Sequence, residues 1–153
     1  MLHSPLPTGG PRAVQLDPYL SFGDGKAREA MEFYRSVFGG SLDLNTFGEQ
    51  PDMPGNDPSL HDKVMHSQLT GDHGIHLMAA DTAPGMGEPT AGSTQISLSG
   101  DDESVLRGYW DALSEGGSVT VPLEKAPWGD SFGMLVDRFG VPWMVNIAGA
   151  DQG

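Results

Sequence analysis

The chain has 153 residues, 21 of them acidic against 8 basic, for a net charge of −13. DNA or an anionic membrane surface would be repelled, so nucleic-acid binding is set aside at the outset. Cysteine is absent, which removes disulfides, thiolate metal sites and a cysteine nucleophile and fits a cytoplasmic setting. No run of about 18 or more apolar residues occurs, and no basic segment leads into an apolar one, so neither a membrane span nor a signal peptide is expected.

Residues 1–13 are polar and rich in Pro and Gly, and read as a flexible tail. Val14 to Phe22 reads as a strand. Pro18 lies inside it and cannot donate to a ladder, which points to an edge position. Gly23–Asp24–Gly25 is the turn into a helix, with Asp24 or Gly25 as the N-cap region. From Ala27 to Gly40 the apolar residues Ala27, Ala30, Met31, Tyr34, Val37 and Phe38 fall on one helical stripe, and Gly39–Gly40 ends it. Ser41 to Leu44 alternates as a strand. Gly48 to Leu60 holds Pro51, Pro54 and Pro58 and reads as a long loop of the kind that often serves as a lid. Lys63 to Leu69 and Ile75 to Ala80 are strands joined by the turn Gly71–Gly74.

Residues 82–92, with two prolines and three glycines, form a linker. Thr94 to Ser99 opens a second series. A helix follows over Asp101 to Glu115, capped by Asp101 or Asp102, with Val105, Tyr109, Ala112 and Leu113 as its stripe and Trp110 alongside. Gly116–Gly117 ends it, and Val119 to Leu123, Ser131 to Val136 and Pro142 to Ile147 complete the strands. Both series run strand, helix, Gly–Gly, three strands, and the offset from Phe22 to Leu98 nearly equals that from Gly40 to Gly117. A duplicated βαβββ unit accounts for this. The fold class is therefore α+β, with one module over 14–81, a second over 93–148, and a short tail at 149–153.

His66 and His76 lie on neighbouring antiparallel strands at polar-side positions beside Gln68 and Met78. If they face each other across the ladder, they make a two-histidine site or a general base near neutral pH; otherwise they are hydrogen-bonded residues of a half-polar sheet. His3, His61 and His73 fall in tail, loop and turn, where solvent is expected. Trp128, in a loop, either stacks on a flat ligand or plugs the end of a sheet. Trp143 shares parity with Val145 and Ile147 and reads as core. No phosphate-binding Gly-rich loop, GxSxG elbow or HExxH occurs, so those enzyme classes have no support.

Several stretches in order resemble the PhnB-like branch of the vicinal oxygen chelate, or glyoxalase/bleomycin-resistance, superfamily. They are Pro18–Tyr19–Leu20, Glu32 to Gly40 (EFYRSVFGG), Val64–Met65–His66, Leu77–Met78–Ala79, Lys125 with Trp128–Gly129, Phe132–Gly133–Met134, and Asp137 to Asn146 (DRFGVPWMVN). The resemblance implies curved half-barrel sheets around a cavity, a homodimer, and in the superfamily's enzymes a divalent metal held by a His of the first strand, a His or Gln opening the second module, and a Glu of the last strand. Carried over position by position, these fall at Tyr19, Gln95 and Met144, with Ser21, Ser97 and Asn146 sharing their faces and His76 near a fourth position. A phenol, an amide and a thioether make a poor hard-metal site.

The expected cavity is therefore lined by Tyr19, Ser21, His66, Gln68, His76, Gln95, Trp128, Met144 and Asn146, and holds a small organic molecule without a metal, as in sequestering, antibiotic-binding relatives. The alternative is a metal-dependent lyase, isomerase or dioxygenase using His66, His76 and a carboxylate such as Asp81 or Glu49. A metal-free enzyme with Tyr19 or a His as acid/base lies between the two. PhnB-like proteins are sometimes labelled methyltransferases, yet no stretch resembles a methyl-donor site.

Overall fold

The computed structural model describes residues 14–49, 58–83 and 87–149. The expected tail at 1–13, the middle of the long loop at 50–57, three linker residues and the last four residues lie outside them. Within the described residues the same element order occurs twice. The first series is β1 (Tyr19–Phe22), α1 (Ala27–Phe38), β2 (Ser41–Thr46), β3 (Val64–Thr70) and β4 (His76–Asp81). The second is β5 (Ile96–Gly100), α2 (Glu103–Ser114), β6 (Ser118–Lys125), β7 (Ser131–Val136) and β8 (Pro142–Ile147).

Each series closes its own four-stranded sheet, in the orders β1-β4-β3-β2 and β5-β8-β7-β6. The first strand pairs parallel with the last, β1 with β4 and β5 with β8, and the other pairs are antiparallel. The α+β class holds. No described helix is long and apolar enough to cross a membrane.

Pro18 shortens β1. Pairing begins at Tyr19 and not at Val14, because Pro18 brings no N–H; its carbonyl still accepts from the Met78 N–H at 3.1 Å. The strand does lie at a sheet edge, as the proline required. Likewise β5 starts at Ile96, leaving Thr94 and Gln95 before it. At the C-terminus of α1, Gly39 and Gly40 take φ of 73° and 82°. A Cβ on Gly40 would fall 2.0 Å from the Thr70 carbonyl oxygen, so this end accepts only glycine.

The N-terminus of α1 differs from expectation. Lys26 occupies the cap position with no side-chain cap bond, so neither Asp24 nor Gly25 serves. Buried Asp81, at the far end of β4, supplies the cap: its Oδ1 accepts from the Ala27 N–H at 2.9 Å and its Oδ2 from the Val64 N–H at 2.7 Å. On α2 the expected local cap forms, with Asp102 Oδ1 accepting from the Val105 N–H at 3.1 Å. Leu106 is buried on this face, while Val105 and Ala112 of the expected stripe are half-buried.

Both helices pack on the same chemical side of their sheets. Leu20, Phe22, Leu69, Leu77 and Ala79 of the first sheet and Leu98, Leu135, Trp143, Val145 and Ile147 of the second join the helix stripes in one core. The two halves interlock through aromatic rings: Trp143 lies 5.6 Å from Tyr34 and 5.7 Å from Phe38, and Phe38 lies 4.8 Å from Tyr109. At the centre sits Asp137, a buried carboxylate. Its Oδ2 accepts from the Tyr34 hydroxyl at 2.6 Å and from Trp143 Nε1 at 2.8 Å, and its Oδ1 from the N–H groups of Phe139 and Val141. Four donors replace the water that a buried carboxylate loses.

Candidate functional site

With one face of each sheet committed to the shared core, alternation turns the other face outward. Register defines what stands there. On the first sheet Tyr19 pairs with Met78 and Ser21 with Ala80. Gln68 lies between Met78 and Asp43, His66 opposite Asn45, and His76 opposite Thr70. On the second sheet Ser97 pairs with Met144 and Ser99 with Asn146, while Met144 faces Met134 and Asn146 faces Phe132.

One expectation about the first face is corrected by this register. His76 sits opposite Thr70, four residues along β3 from His66, so the two histidines do not face each other and form no two-histidine site. His76 instead has its Nδ1 3.4 Å from Gln15 Nε2, and it lines a cavity of about 220 Å³ with Pro18, Phe38, Ile96, Ser97 and Trp143. Ser21 is engaged by the linker. Its hydroxyl lies 2.9 Å from the Thr90 hydroxyl, accepts from the Thr90 N–H at 2.8 Å, and so ties the linker to β1.

His66 has another partner, which periodicity did not suggest. The Tyr19 hydroxyl lies 3.3 Å from His66 Nδ1, and the two rings stack at 5.9 Å between centroids. The residues come from β1 and β3, on either side of β4. Tyr19 keeps 46% of its surface exposed. Partial burial nevertheless raises its phenol above the ordinary value, so it is a protonated hydroxyl at neutral pH.

On the second face, Trp128 stands in the β6–β7 turn with 61% of its surface exposed and meets Phe132 edge-on at 6.2 Å. It does not plug the sheet end. Asn146 is held by Asp130: Nδ2 donates to Oδ2 at 3.0 Å, and the Gly149 N–H donates to Oδ1 at 3.0 Å. These two bonds lower the Asp130 carboxyl below its ordinary range. Asp130 was not expected in this role, since turn acids seldom stand out in a sequence with many of them. Gln95 is exposed and precedes its strand.

The metal that the superfamily resemblance implies can be tested against these donors. Tyr19 offers a protonated phenol engaged with His66, Gln95 lies off the strand, and Met144 offers a thioether between Ser97 and Met134. The set does not fit a hard divalent ion. The two substitute carboxylates are used elsewhere. Asp81 is buried in the cap of α1, and Glu49 accepts from the Thr46 N–H at 2.7 Å. Among the described residues no three His, Asp or Glu side chains converge.

Twin βαβββ units, each closed by a parallel first-to-last strand pair, define the glyoxalase/bleomycin-resistance class of folds. The arrangement recurs in a glyoxylase/bleomycin resistance protein/dioxygenase domain from Frankia, at 10% identity with a TM-score of 0.58 over 91% of this chain and 99% of that one. Within the class, residues 15–146 match the family model described as 3-demethylubiquinone-9 3-methyltransferase, and the chain belongs to this PhnB-like family. Protein YjdN of Escherichia coli is 31% identical over 142 residues, 88% of this chain and 95% of its own. The structure of protein PA1353 from Pseudomonas aeruginosa is 39% identical with a TM-score of 0.74, covering 90% of this chain and 99% of that one. The PhnB protein from Bacillus cereus is 25% identical with a TM-score of 0.66, covering 88% and 100%.

Proposed function

We propose that this protein binds a small organic molecule, without the superfamily's metal, in a cavity made where the open face of one copy's first sheet meets the open face of a second copy's second sheet. Sequestration of a toxic or signalling compound is the form of activity this reading favours. The observation that carries it is the outward Tyr19–His66 pair, an aromatic and hydrogen-bonding surface that the chain's own core leaves uncovered. A homodimer is part of the same reading. Each open face of one chain looks away from the core that joins its halves, and a second copy brings the complementary face to each. The methyl transfer in the family's description stays with the family model, since no stretch of this chain resembles a methyl-donor site.

Metal analysis of protein purified without chelator, together with a thermal-shift screen against divalent metals and hydrophobic natural products, tests this reading. The expected result is substoichiometric metal and stabilisation by at least one organic compound. Stoichiometric Zn, Mn, Ni or Fe, with thermal stabilisation lost when that metal is removed, would return the chain to the metal-dependent lyases, isomerases and dioxygenases.

A further inference from the structure

The two open faces differ in chemistry, and the difference selects a ligand; this step rests on the two-copy cavity proposed above. The first face offers hydrogen bonds from Tyr19, His66 and Gln68. With a neutral imidazole the Tyr19–His66 pair presents one donor and one acceptor outward, whichever ring nitrogen holds the proton. The second face carries an apolar patch: Phe132, Met134 and Met144 lie side by side, bordered by Ser97, Asn146 and Glu124, with the exposed Trp128 ring standing beside Phe132.

Charge decides between heads. Among the described residues, none of those register-paired on either open face is Lys or Arg, and the charged ones are Asp43 and Glu124. A phosphate or carboxylate enclosed there would lose its water, find no Lys or Arg to pair with and meet a chain of net charge −13. A cationic head held at Tyr19 and His66 would have no carboxylate paired beside it, since Asp43 and Glu124 stand on the edge strands β2 and β6 opposite Gln68 and Phe132, and Asp130 already accepts from Asn146 and Gly149.

We infer that the ligand is an uncharged, ring-bearing molecule, its rings laid on Trp128, Phe132 and the two methionines and its phenol, hydroxyl or carbonyl end held by Tyr19 and His66.

Calorimetric titration at about pH 7 with three probes sharing one ring system tests this: 2-naphthol, 2-naphthyl phosphate and 2-naphthylmethylamine. The expected order places 2-naphthol about tenfold tighter than either charged probe, the discrimination between head groups being roughly that of a lost hydrogen bond plus desolvation. Trp128→Leu, a change at an exposed position, is expected to weaken 2-naphthol roughly five- to tenfold, and His66→Ala roughly fivefold. If the phosphate or the amine binds as tightly as the naphthol and Trp128→Leu weakens it equally, the uncharged-head inference falls and the cavity reading stands. If 2-naphthol binds but neither variant weakens it, the assignment to these residues falls. If no probe binds the wild-type protein, both are overturned.

Discussion

At the scale of single residues, the chain places two carboxylates where opposite logics apply. Asp137 is buried and kept by four donors, among them the Tyr34 hydroxyl. Burial, and then the nearby negative charge of Asp137, push that hydroxyl far above its ordinary range, so it stays a donor at every pH at which the protein folds. Tyr34→Phe removes one charge-assisted bond and leaves the carboxylate under-satisfied; a loss of about 1.5–3 kcal/mol in urea denaturation is expected. Asp130 sits in a surface turn and is lowered by the Asn146 amide and the Gly149 N–H. A lowered folded-state value means that its contribution is present above the ordinary carboxylate range and is lost as pH falls through the folded value. In an NMR titration of the Asp130 carboxyl, Asn146→Ala is expected to move its midpoint upward, toward the ordinary value.

At the scale of elements, α1 and α2 are capped by different means. Asp102 caps α2 from the adjacent residue, on the surface, and its replacement by Ala is expected to cost about 1 kcal/mol. Asp81 reaches α1 from the last strand of its sheet and serves Val64 as well, in a buried place. Asp81→Ala is expected to cost about 2–4 kcal/mol, clearly more than Asp102→Ala in the same denaturation series. The elements themselves were legible in the sequence. The stripe of α1, the Gly–Gly helix ends and the alternation of β7 and β8 are local patterns with strong periods, and the duplication follows from their order. The partners were not. Asp81 looked like a spare carboxylate because nothing near it in sequence is its ligand, and Tyr34 and Asp137 are 103 positions apart. His66 and His76 could be assigned to a face from parity, but which residue each meets depends on a register that parity leaves free by any even number of residues. The pairing of Tyr19 with His66 across an intervening strand was hidden for the same reason.

At the scale of the whole molecule, a cavity completed by a second copy makes a prediction that a cavity within one chain does not. Take the Trp128→Leu and His66→Ala variants, each weak in binding 2-naphthol, and mix them in equal amounts under conditions that exchange subunits. Roughly half the dimers become mixed, and in each of these one of the two sites carries both changes and the other carries neither. Calorimetry is then expected to recover about one quarter of the wild-type high-affinity sites. A site built from one chain recovers none.

The parallel pairing of β1 with β4, and of β5 with β8, also shapes how the protein comes into being. Neither sheet can close until its final strand has left the ribosome, and α1 lacks its cap until Asp81 arrives with that strand. Local helix formation therefore precedes any stable sheet, and the early chain carries an uncovered greasy stripe through most of each unit's synthesis. Chains arrested before β4 are expected to be cut readily by protease, those extended past it to be partly protected, and those extended past β8, which brings Trp143 into the shared core, to resist, steps that a pulse of protease on stalled nascent chains would register.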